Sequence, residues 1–531
     1  MSRLHSHPLK PDSPRQHTLD DRAIDNTFAS RPAQGLEAEL LRAFGFGLFV
    51  IALVRTAWLC DDAYITLRTI DNFVAGYGVR WNVVERVQTY THPLWMLMLS
   101  VPYYFTRDPY FTPLLVSMVL SALTVWLLLT RLAVTPISGA LGALVLTVSK
   151  AFVDYSTSGL ENPLTHLLLA TFFMSYWRSL ETADLTLPWL ACGLLLLNRL
   201  DTGLLVLPAL LVRGIRMPWR RVLRAAAIGL APLMLWEVFA IVYYGFPFPN
   251  TAYAKLQHGI SESTLIGQGL LYLLDSIAED PVTLLATAAF TAAVLRVPTR
   301  KHWPFAVGIL LYYAYVVRIG GDFMSGRFLA APLFVAVALF VRLPIASAAR
   351  VAPAVAAVCI VLGIIATKRP PIMSDADTFV LTPNAAMGVA GVADERAYYY
   401  RYTGLLRWTR EVPLPHNATV DSGRQARNGP LVVVRSTIGL FGYYAGPTVH
   451  VVDAMGLGDP LLARLPAEGR WRIGHFEREI PEGYVATLET GENKLVDPAV
   501  GARYQQLKLI TQGPLWARRR WRAIAAVAFG L

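Results

Sequence analysis

The stretch LLRAFGFGLFVIALVRTAWLCDDAYI occupies residues 40–65 and joins an apolar run to two adjacent carboxylates. Residues 40–59 are apolar and long enough to form a membrane-spanning helix, which needs about 20 residues. Asp61 and Asp62 follow directly after this run. Two neighbouring carboxylates at a membrane boundary repel each other and are costly to hold there. The pattern therefore favours a chemical role for the pair, on a substrate that arrives through the membrane.

The composition is that of a membrane protein. The chain has 531 residues, of which 54% are hydrophobic and 16% are charged, whereas soluble proteins carry about 25% charged residues. The net charge of +11 is typical of basic cytoplasmic loops facing anionic lipid, so it does not indicate a nucleic-acid partner. The three cysteines give no legible disulfide framework or zinc site.

The sequence predicts three regions. Residues 1–36 are expected to be a disordered cytoplasmic tail, residues 37–366 a transmembrane domain, and residues 367–531 a small periplasmic α/β domain with strand-like runs at 431–435 and 448–452 and a helix after Asp459 and Pro460. The prediction is about eleven spans. They are 40–59, 113–130, 137–153, 163–178, 186–198, 202–213, 222–243, 281–297, 303–318, 327–342 and 350–366, with interfacial helices at 93–105 and 264–275.

The basic residues predict which way the spans run. Arginine and lysine concentrate in alternate connections, at Arg131, Arg178, 213–221, 296–301 and 342–350. Positive residues mark the cytoplasmic side, so we expect the N-terminus inside. The motif-bearing segments 60–112, 154–162, 244–280, 318–326 and the C-terminal tail then lie outside, in the periplasm of a bacterial inner membrane.

The first outer loop has the parts of a group-transfer site. Asp61 and Asp62 are candidates for a base toward an acceptor hydroxyl, and Arg68 is a candidate to neutralise a departing phosphate. His92 is a candidate substrate contact in the same loop. The alternative for the pair is a structural one, because aspartate at a helix start is favoured by free backbone N–H groups.

Two further outer motifs add candidate residues. Glu161, in SGLENP, is either a second acid in the same cavity or a partner of a helix N-terminus. Arg199, in NRLD, is either part of a structural ion pair or a ligand of a lipid phosphate.

The remaining candidates lie in two turns broken by proline and glycine. In GFPFPNTAYAK, Tyr253 is a candidate for stacking on a sugar and Lys255 for binding phosphate, the alternative being an interfacial aromatic belt. In GGDFMSGRF, the glycines allow close approach to a ligand, Asp322 is a candidate substrate contact, and Arg327 either binds phosphate or extends toward the membrane surface.

Taken together, the motifs resemble the GT-C superfamily of lipid-phosphate-dependent glycosyltransferases, and within it the AftB-type terminal β-(1→2)-arabinofuranosyltransferase branch. The resemblance is carried by DDAYI, GYGVRWN, ERVQTYTHPLW, SGLENPL, NRLD, GFPFPNTAYAK, GGDFMSGRF, VVDAMGLGDPLLARL and RIGHFEREIPEGYV, over residues 40–480.

The resemblance implies an α-helical polytopic GT-C fold and a polyprenyl-phosphate donor, decaprenyl-phosphoryl-arabinofuranose in the mycobacterial branch. It also implies a glycan or protein acceptor outside the membrane. It aligns Asp61 with the catalytic first-loop acid, with Asp62 beside it to orient the sugar or hold an optional divalent cation. The expected reaction is an inverting transfer, with the donor phosphate bound by some of Arg68, Arg199, Lys255 and Arg327. A lipid-linked-sugar transporter and a non-catalytic scaffold in envelope or motility assembly are the alternatives.

Overall fold

The computed structural model describes residues 35–256, 259–296, 301–374, 388, 391–467 and 471–529. The predicted cytoplasmic tail, apart from its last two residues, lies outside these ranges. Within them the chain is mostly helical, with one sheet of two short strands. This composition is that of a helical membrane protein.

Sixteen helices form the first part of the described chain. They are α1 (Leu36–Thr56), α2 (Asp61–Val74), α3 (Pro93–Thr106), α4 (Phe111–Leu127), α5 (Pro136–Val148), α6 (Lys150–Asp154), α7 (Asn162–Thr182), α8 (Thr186–Asn198), α9 (Gly203–Gly214), α10 (Trp219–Tyr243), α11 (Asn250–Leu256), α12 (Glu262–Glu279), α13 (Pro281–Arg296), α14 (Trp303–Arg318), α15 (Ala330–Phe340) and α16 (Val351–Val361). Each predicted span overlaps one of these helices, except that the span predicted over 137–153 is divided at Ser149 into α5 and α6. The predicted interfacial pieces are helices α3 and α12.

Among the residues that the structure describes, two helices are long and apolar enough to cross a membrane alone, Phe111–Leu132 and Trp219–Tyr243. Two further pairs qualify when each is counted as one broken element, α1 with α2 and α12 with α13, bent by 84° and 106°. Five more apolar helices have between 10 and 17 residues. The predicted total of about eleven spans therefore stays a prediction.

Small residues allow two of the apolar helices to cross closely. Helices α8 and α10 meet at Gly193 and Gly229, where a Cβ atom added to Gly193 would lie 2.0 Å from the Gly229 carbonyl oxygen. Such small-residue contacts are the usual way in which apolar helices pack where no hydrophobic effect drives them together.

The bend after α1 places the acidic pair. The chain leaves α1 at Thr56, runs extended through Trp58 to Cys60, and restarts as α2 at Asp61, turned by 84°. The Trp58 indole donates to the Asp154 carbonyl at 2.8 Å, and the Cys60 N–H donates to the Ser158 carbonyl at 3.0 Å. The turn is therefore held by the loop that precedes α7.

The C-terminal segment is a small mixed unit. Its elements are α17 (Glu395–Thr403), α18 (Ala418–Ala426), β1 (Val432–Arg435), α19 (Gly439–Ala445), β2 (His450–Asp453), α20 (Tyr484–Thr490), α21 (Pro498–Gln512) and α22 (Arg518–Phe529). The strands are parallel, with Val432 opposite His450. Both predicted strands are confirmed, but the helix predicted after Pro460 is only a short 3-10 turn, Leu462–Arg464. The preceding Asp459 carboxylate accepts the N–H groups of Leu461 and Leu462 and so caps the start of this turn. The turn ends at Leu465, whose backbone is extended, as is favoured before a proline.

The C-terminal segment packs tightly on residues 61–92. Arg68 is 2% exposed and donates hydrogen bonds to the carbonyls of Trp81, Gly442 and Val449. The Asn82 amide accepts from the Val451 N–H and donates to its carbonyl, both at 3.1 Å. Because these side chains replace missing backbone partners, residues 61–92 and 432–453 form one continuous structure.

Arg68→Ala should destabilise the protein. Three carbonyls would lose a buried donor, and each unsatisfied group costs roughly 1–3 kcal/mol, so we expect a loss of about 3 kcal/mol or more and a clearly lower thermal-unfolding midpoint in detergent. The exposed Arg410→Ala is the control. A normal midpoint with a raised KM for a phosphate-bearing donor would instead support the phosphate role predicted from sequence.

Membrane-impermeant thiol labelling tests the predicted orientation. The three native cysteines are buried, so single cysteines introduced at exposed positions report on one site each. Ile215→Cys, at a residue 84% exposed, should label only after permeabilisation, whereas Val84→Cys, Phe248→Cys and Leu431→Cys should label in intact cells. Labelling of Phe248→Cys only after permeabilisation would overturn the orientation.

Candidate active site

A cavity of about 320 Å³ lies where the acidic pair meets the C-terminal segment. Its charged and imidazole groups come from four parts of the chain: Asp61, Asp62, Lys255, Glu395, Arg472 and His475. Hydroxyl, amide and apolar side chains of the C-terminal segment complete the wall. The cavity is therefore polar and carries both signs of charge.

Asp61 does not cap its own helix. Cys60 is the N-cap of α2 and makes no side-chain cap hydrogen bond. Instead, the Asp61 carboxylate accepts the N–H groups of Gly439 at 2.9 Å and Leu440 at 2.8 Å, at the start of α19. A Cβ atom added to Gly439 would lie 1.9 Å from the Asp61 carbonyl oxygen, so only glycine permits this approach.

Burial and hydrogen bonding act in opposite directions on Asp61. Burial and the neighbouring charge of Asp62 raise the pKa of Asp61, the two backbone hydrogen bonds lower it, and the net result is a pKa of about 6. Both carboxylate oxygens are engaged with α19. At neutral pH Asp61 is thus mainly ionised and held in a structural contact, which leaves it poorly placed to take a proton from a substrate.

Asp62 is the carboxylate that faces the cavity without a partner. Among the residues that the structure describes, none donates a hydrogen bond to it. Burial raises the pKa of Asp62, and the charges of Arg327 and Lys255 oppose that rise. A partly buried carboxylate with free oxygens and nearby cations has the properties of a general base.

Two cations line the same cavity. Lys255, in the last turn of α11, is exposed and has no ion-pair partner within the described ranges. Arg472 lies with Nη2 4.0 Å from Oε1 of Glu395 and with its guanidinium 5.2 Å from the ring of Phe323. These two side chains are placed to meet a bound anion.

The Glu161 cluster, formed by Glu161, Arg199, Arg327 and His92, lies outside the cavity lining. Glu161 is fully buried, with Arg199 Nη1 at 2.6 Å and Arg327 Nη2 at 3.1 Å. Burial opposes its ionisation, but the charges of Arg327 and Arg199 hold the pKa of Glu161 well below its usual range. Glu161 is therefore not a second acid in the cavity, as one interpretation of its motif had it.

His92 contacts the cluster as a neutral ring. Its Nδ1 lies 3.2 Å from Oε2 of Glu161, and Nε2 lies 2.8 Å from the Thr66 hydroxyl. Burial lowers the pKa of His92 to about 4, so the contact is not an ion pair at neutral pH. His92 does not reach the cavity lining, contrary to its predicted substrate contact.

The predicted phosphate arginines have carboxylate partners. Arg199 forms two hydrogen bonds with the carboxylate of Asp201, at 3.0 and 2.6 Å, in addition to its contact with Glu161. Arg327 also faces Asp322 at 3.6 Å. Arg199 thus fits the structural ion pair that was its alternative role. Arg327 has buried carboxylate partners, which neither interpretation of its motif included, and its charge also favours ionised Asp62. Asp322 is 4% exposed and is likewise absent from the cavity lining.

Two other candidates have different partners from those predicted. Arg68 is occupied by backbone carbonyls, which corrects its predicted phosphate contact. Tyr253 packs edge-on against Phe246 and lies beneath the guanidinium of Arg464 at 4.4 Å. One face of its ring is therefore occupied by Arg464, and Tyr253 is not part of the cavity lining, so its stacking on a sugar stays a prediction. Of the four predicted phosphate ligands, Lys255 is the one that lines the cavity.

The donor set around Asp62 does not form a metal site. Within the described residues, no group of three or more histidine, cysteine, aspartate or glutamate side chains is arranged to hold a metal ion. Asp61 is occupied by α19, which leaves Asp62 without a second free ligand on its own helix. The optional cation beside Asp62 therefore does not fit this arrangement.

Sequence reasoning missed the far wall of the cavity. Arg472 and His475 belong to the motif RIGHFERE, which contributes to the resemblance but was given no chemical role. Glu395 lies in ADERAYYY, a segment that none of the sequence motifs includes. Burial lowers the pKa of His475 to about 4, so this ring is neutral at physiological pH.

Comparison with known proteins supports the motif-based resemblance. No protein-family model matches the chain. A curated terminal beta-(1->2)-arabinofuranosyltransferase of Mycobacterium tuberculosis is 29% identical over 543 aligned positions, which cover 83% of each chain. A protein of the same name from Corynebacterium glutamicum is 27% identical over 397 positions, covering 61% of this chain and 55% of the relative. The chain is thus a homologue of terminal β-(1→2)-arabinofuranosyltransferases over most of its length, as its motifs predict.

Proposed function

We propose that the protein is an inverting membrane glycosyltransferase in which Asp62 is the general base. It transfers a sugar from a polyprenyl-phosphate donor to a hydroxyl group of a glycan or protein acceptor outside the membrane. The homologues are named arabinofuranosyltransferases, so arabinofuranose is the proposed sugar. The observation that carries the proposal is the free carboxylate of Asp62 in a cavity that also contains Lys255 and Arg472.

The proposed reaction is a single displacement. The acceptor oxygen attacks the anomeric carbon as its proton moves to a carboxylate oxygen of Asp62. The bond from that carbon to the phosphate oxygen breaks, and the electron pair leaves with the lipid phosphate. Because the attack comes from the face opposite the leaving group, the configuration at the carbon inverts. Positioned proton transfer contributes about 10²–10⁴-fold to the rate.

Charge stabilisation of the leaving group is assigned to the cavity cations. A phosphate that departs with extra negative charge is stabilised by preorganised cations in a partly dry site. Lys255 and Arg472 line the cavity with Asp62, whereas Arg199 and Arg327 are already paired with carboxylates. The proposed reaction therefore uses a carboxylate base and two cations of the cavity, and it needs no residue of the buried Glu161 cluster.

Purified protein should transfer radiolabelled arabinofuranose from a synthetic polyprenyl-phosphate donor to an oligosaccharide acceptor, and Asp62→Asn should lower kcat by about 10²-fold or more. Asparagine keeps the size of aspartate but cannot accept the proton. The unfolding midpoint of Asp62→Asn should stay close to that of wild type, since Asp62 makes no structural hydrogen bond.

Asp61→Asn is the matched comparison. The single oxygen of the asparagine amide can still accept one of the N–H groups of Gly439 and Leu440, but its NH₂ group would face the other. This variant should therefore lower the unfolding midpoint more than Asp62→Asn does. If Asp62→Asn is active while Asp61→Asn is stably folded but inactive, the general base is Asp61 and not Asp62.

Lys255→Ala should raise the donor KM by about tenfold, the effect of losing one charge-assisted contact. Lys508→Ala, in the C-terminal segment outside the cavity, is the matched control and should leave the donor KM unchanged. The acceptor KM should move little in either variant. An unchanged donor KM in Lys255→Ala would mean that Lys255 points into solvent and that the phosphate is bound elsewhere.

A further inference from the structure

Glu395 is the third carboxyl group of the cavity and has no role in the proposed reaction. It is the first residue of α17, is 9% exposed, and lines the cavity together with Asp61 and Asp62. No hydrogen bond to its carboxyl group is present within the described ranges. An acid buried beside two others, with no hydrogen-bonding partner of its own, is available to a ligand.

The residues on both sides of Glu395 are fixed by buried ion pairs. Asp394 Oδ2 lies 3.0 Å from Nζ of Lys150, and Arg396 Nε lies 2.8 Å from Oδ1 of Asp154. These partners come from α6, which is packed among the apolar helices. Because its two neighbours are anchored in this way, the backbone of Glu395 has little freedom and the side chain is held at the cavity wall.

The surroundings of Glu395 disfavour a negative charge. Ionising a third carboxyl group close to two others in a poorly solvated cavity is costly. Burial, followed by the charge of Asp62, raises the pKa of Glu395, and the net result is a pKa of about 8. The positive charge of Arg472, whose Nη2 lies 4.0 Å from Oε1 of Glu395, opposes this rise. The titratable groups that face it are Cys60, Asp61, Asp62, Tyr155, Asp322, Tyr398, Tyr399 and Arg472.

We propose that Glu395 is protonated in the working enzyme and donates a hydrogen bond to an oxygen atom of the bound donor. A protonated carboxyl group has one O–H donor, so Glu395 adds a donor to the cavity without adding charge. The oxygen belongs to the donor because Arg472, 4.0 Å from Glu395, is one of the two cations assigned to the donor phosphate. The proton stays on Glu395, so no bond is made or broken there. This inference rests on the proposed function.

The proposal differs from a purely structural role. If Glu395 served only as the ionised partner of Arg472, a neutral side chain would weaken the cavity wall at every pH. If Glu395 is a neutral donor, a glutamine in its place keeps an N–H donor at nearly the same position and cannot titrate. The two roles therefore predict opposite outcomes for one substitution.

The test compares the pH dependence of donor use in wild type, Glu395→Gln and Glu395→Ala. In wild type, kcat/KM for the donor should fall above about pH 8, as Glu395 loses its proton and can no longer donate. Glu395→Gln should keep kcat/KM within about threefold at pH 7 and should lack this alkaline fall. Glu395→Ala should lose about tenfold at pH 7, the effect of one hydrogen bond. The acceptor KM should stay constant in all three.

Glu477→Gln is the matched control, since Glu477 is exposed and lies close to the cavity motif. It should retain the alkaline fall. A folded but inactive Glu395→Gln, an alkaline fall that persists in it, or a Glu395→Ala enzyme with full activity would each overturn the proposal. Folding is followed separately through the unfolding midpoint.

Donor binding separates this inference from the proposed function. If wild type transfers no sugar, the proposed function fails, and the same variants are compared by their affinity for the intact lipid-phosphate sugar. Affinity that falls above about pH 8 in wild type but not in Glu395→Gln would support the hydrogen bond even then. The same pH dependence in both proteins would overturn it.

Discussion

The hydrogen bonds from Gly439 and Leu440 to the carboxylate of Asp61 connect the two parts of the chain that enclose the cavity. A charged acceptor at the exposed N–H groups of a helix start is a favourable pairing, and the absence of a side chain at Gly439 allows the backbones to touch. Since Asp62 is the next residue on the same helix, fixing Asp61 also fixes the direction of Asp62. The position of the proposed base therefore depends on a contact that the base itself does not make.

The adjacent carboxylates of Asp61 and Asp62 have different partners, which is why we propose different roles for them. Both carboxylate oxygens of Asp61 accept hydrogen bonds from backbone N–H groups. Asp62 accepts none within the described residues, and the charges of Arg327 and Lys255 oppose the rise in its pKa that burial causes. The cations also lie in two different places. Arg199 and Arg327 are bound within the Glu161 cluster, whereas Lys255 and Arg472 line the cavity. The buried ion pairs of Arg199 and Arg327 join neighbouring helices and leave little of the arginine charge for a ligand. Residue type alone therefore does not tell a structural arginine from one that lines the cavity.

The helices were predictable from sequence to a greater degree than the site. The runs 186–198 and 303–318 match α8 and α14 because uninterrupted apolar stretches bounded by proline, arginine or polar caps leave few alternatives. Asp62 and Lys255 were found because they sit in unusual motifs beside such runs. The structural duties of Arg68 and Glu161, and the presence of Glu395 in the cavity, follow from contacts between residues far apart in the chain, which no local pattern encodes. The helix expected after Pro460 is absent for a local reason, since Leu465, which precedes Pro466, has an extended backbone and ends the turn that Asp459 caps.

The contact between Asp61 and Gly439 spans 378 positions of sequence, which has a consequence for biogenesis. The ribosome makes the acidic pair early and the glycine that holds it late, so a nascent chain whose first helices are already in the bilayer still lacks the wall that orients its carboxylates. A product released early, by a stop codon or by proteolysis before α19, retains the apolar helices and both aspartates but not this geometry. The cavity therefore forms only once the chain has been made as far as α19, and we expect shorter products to lack it.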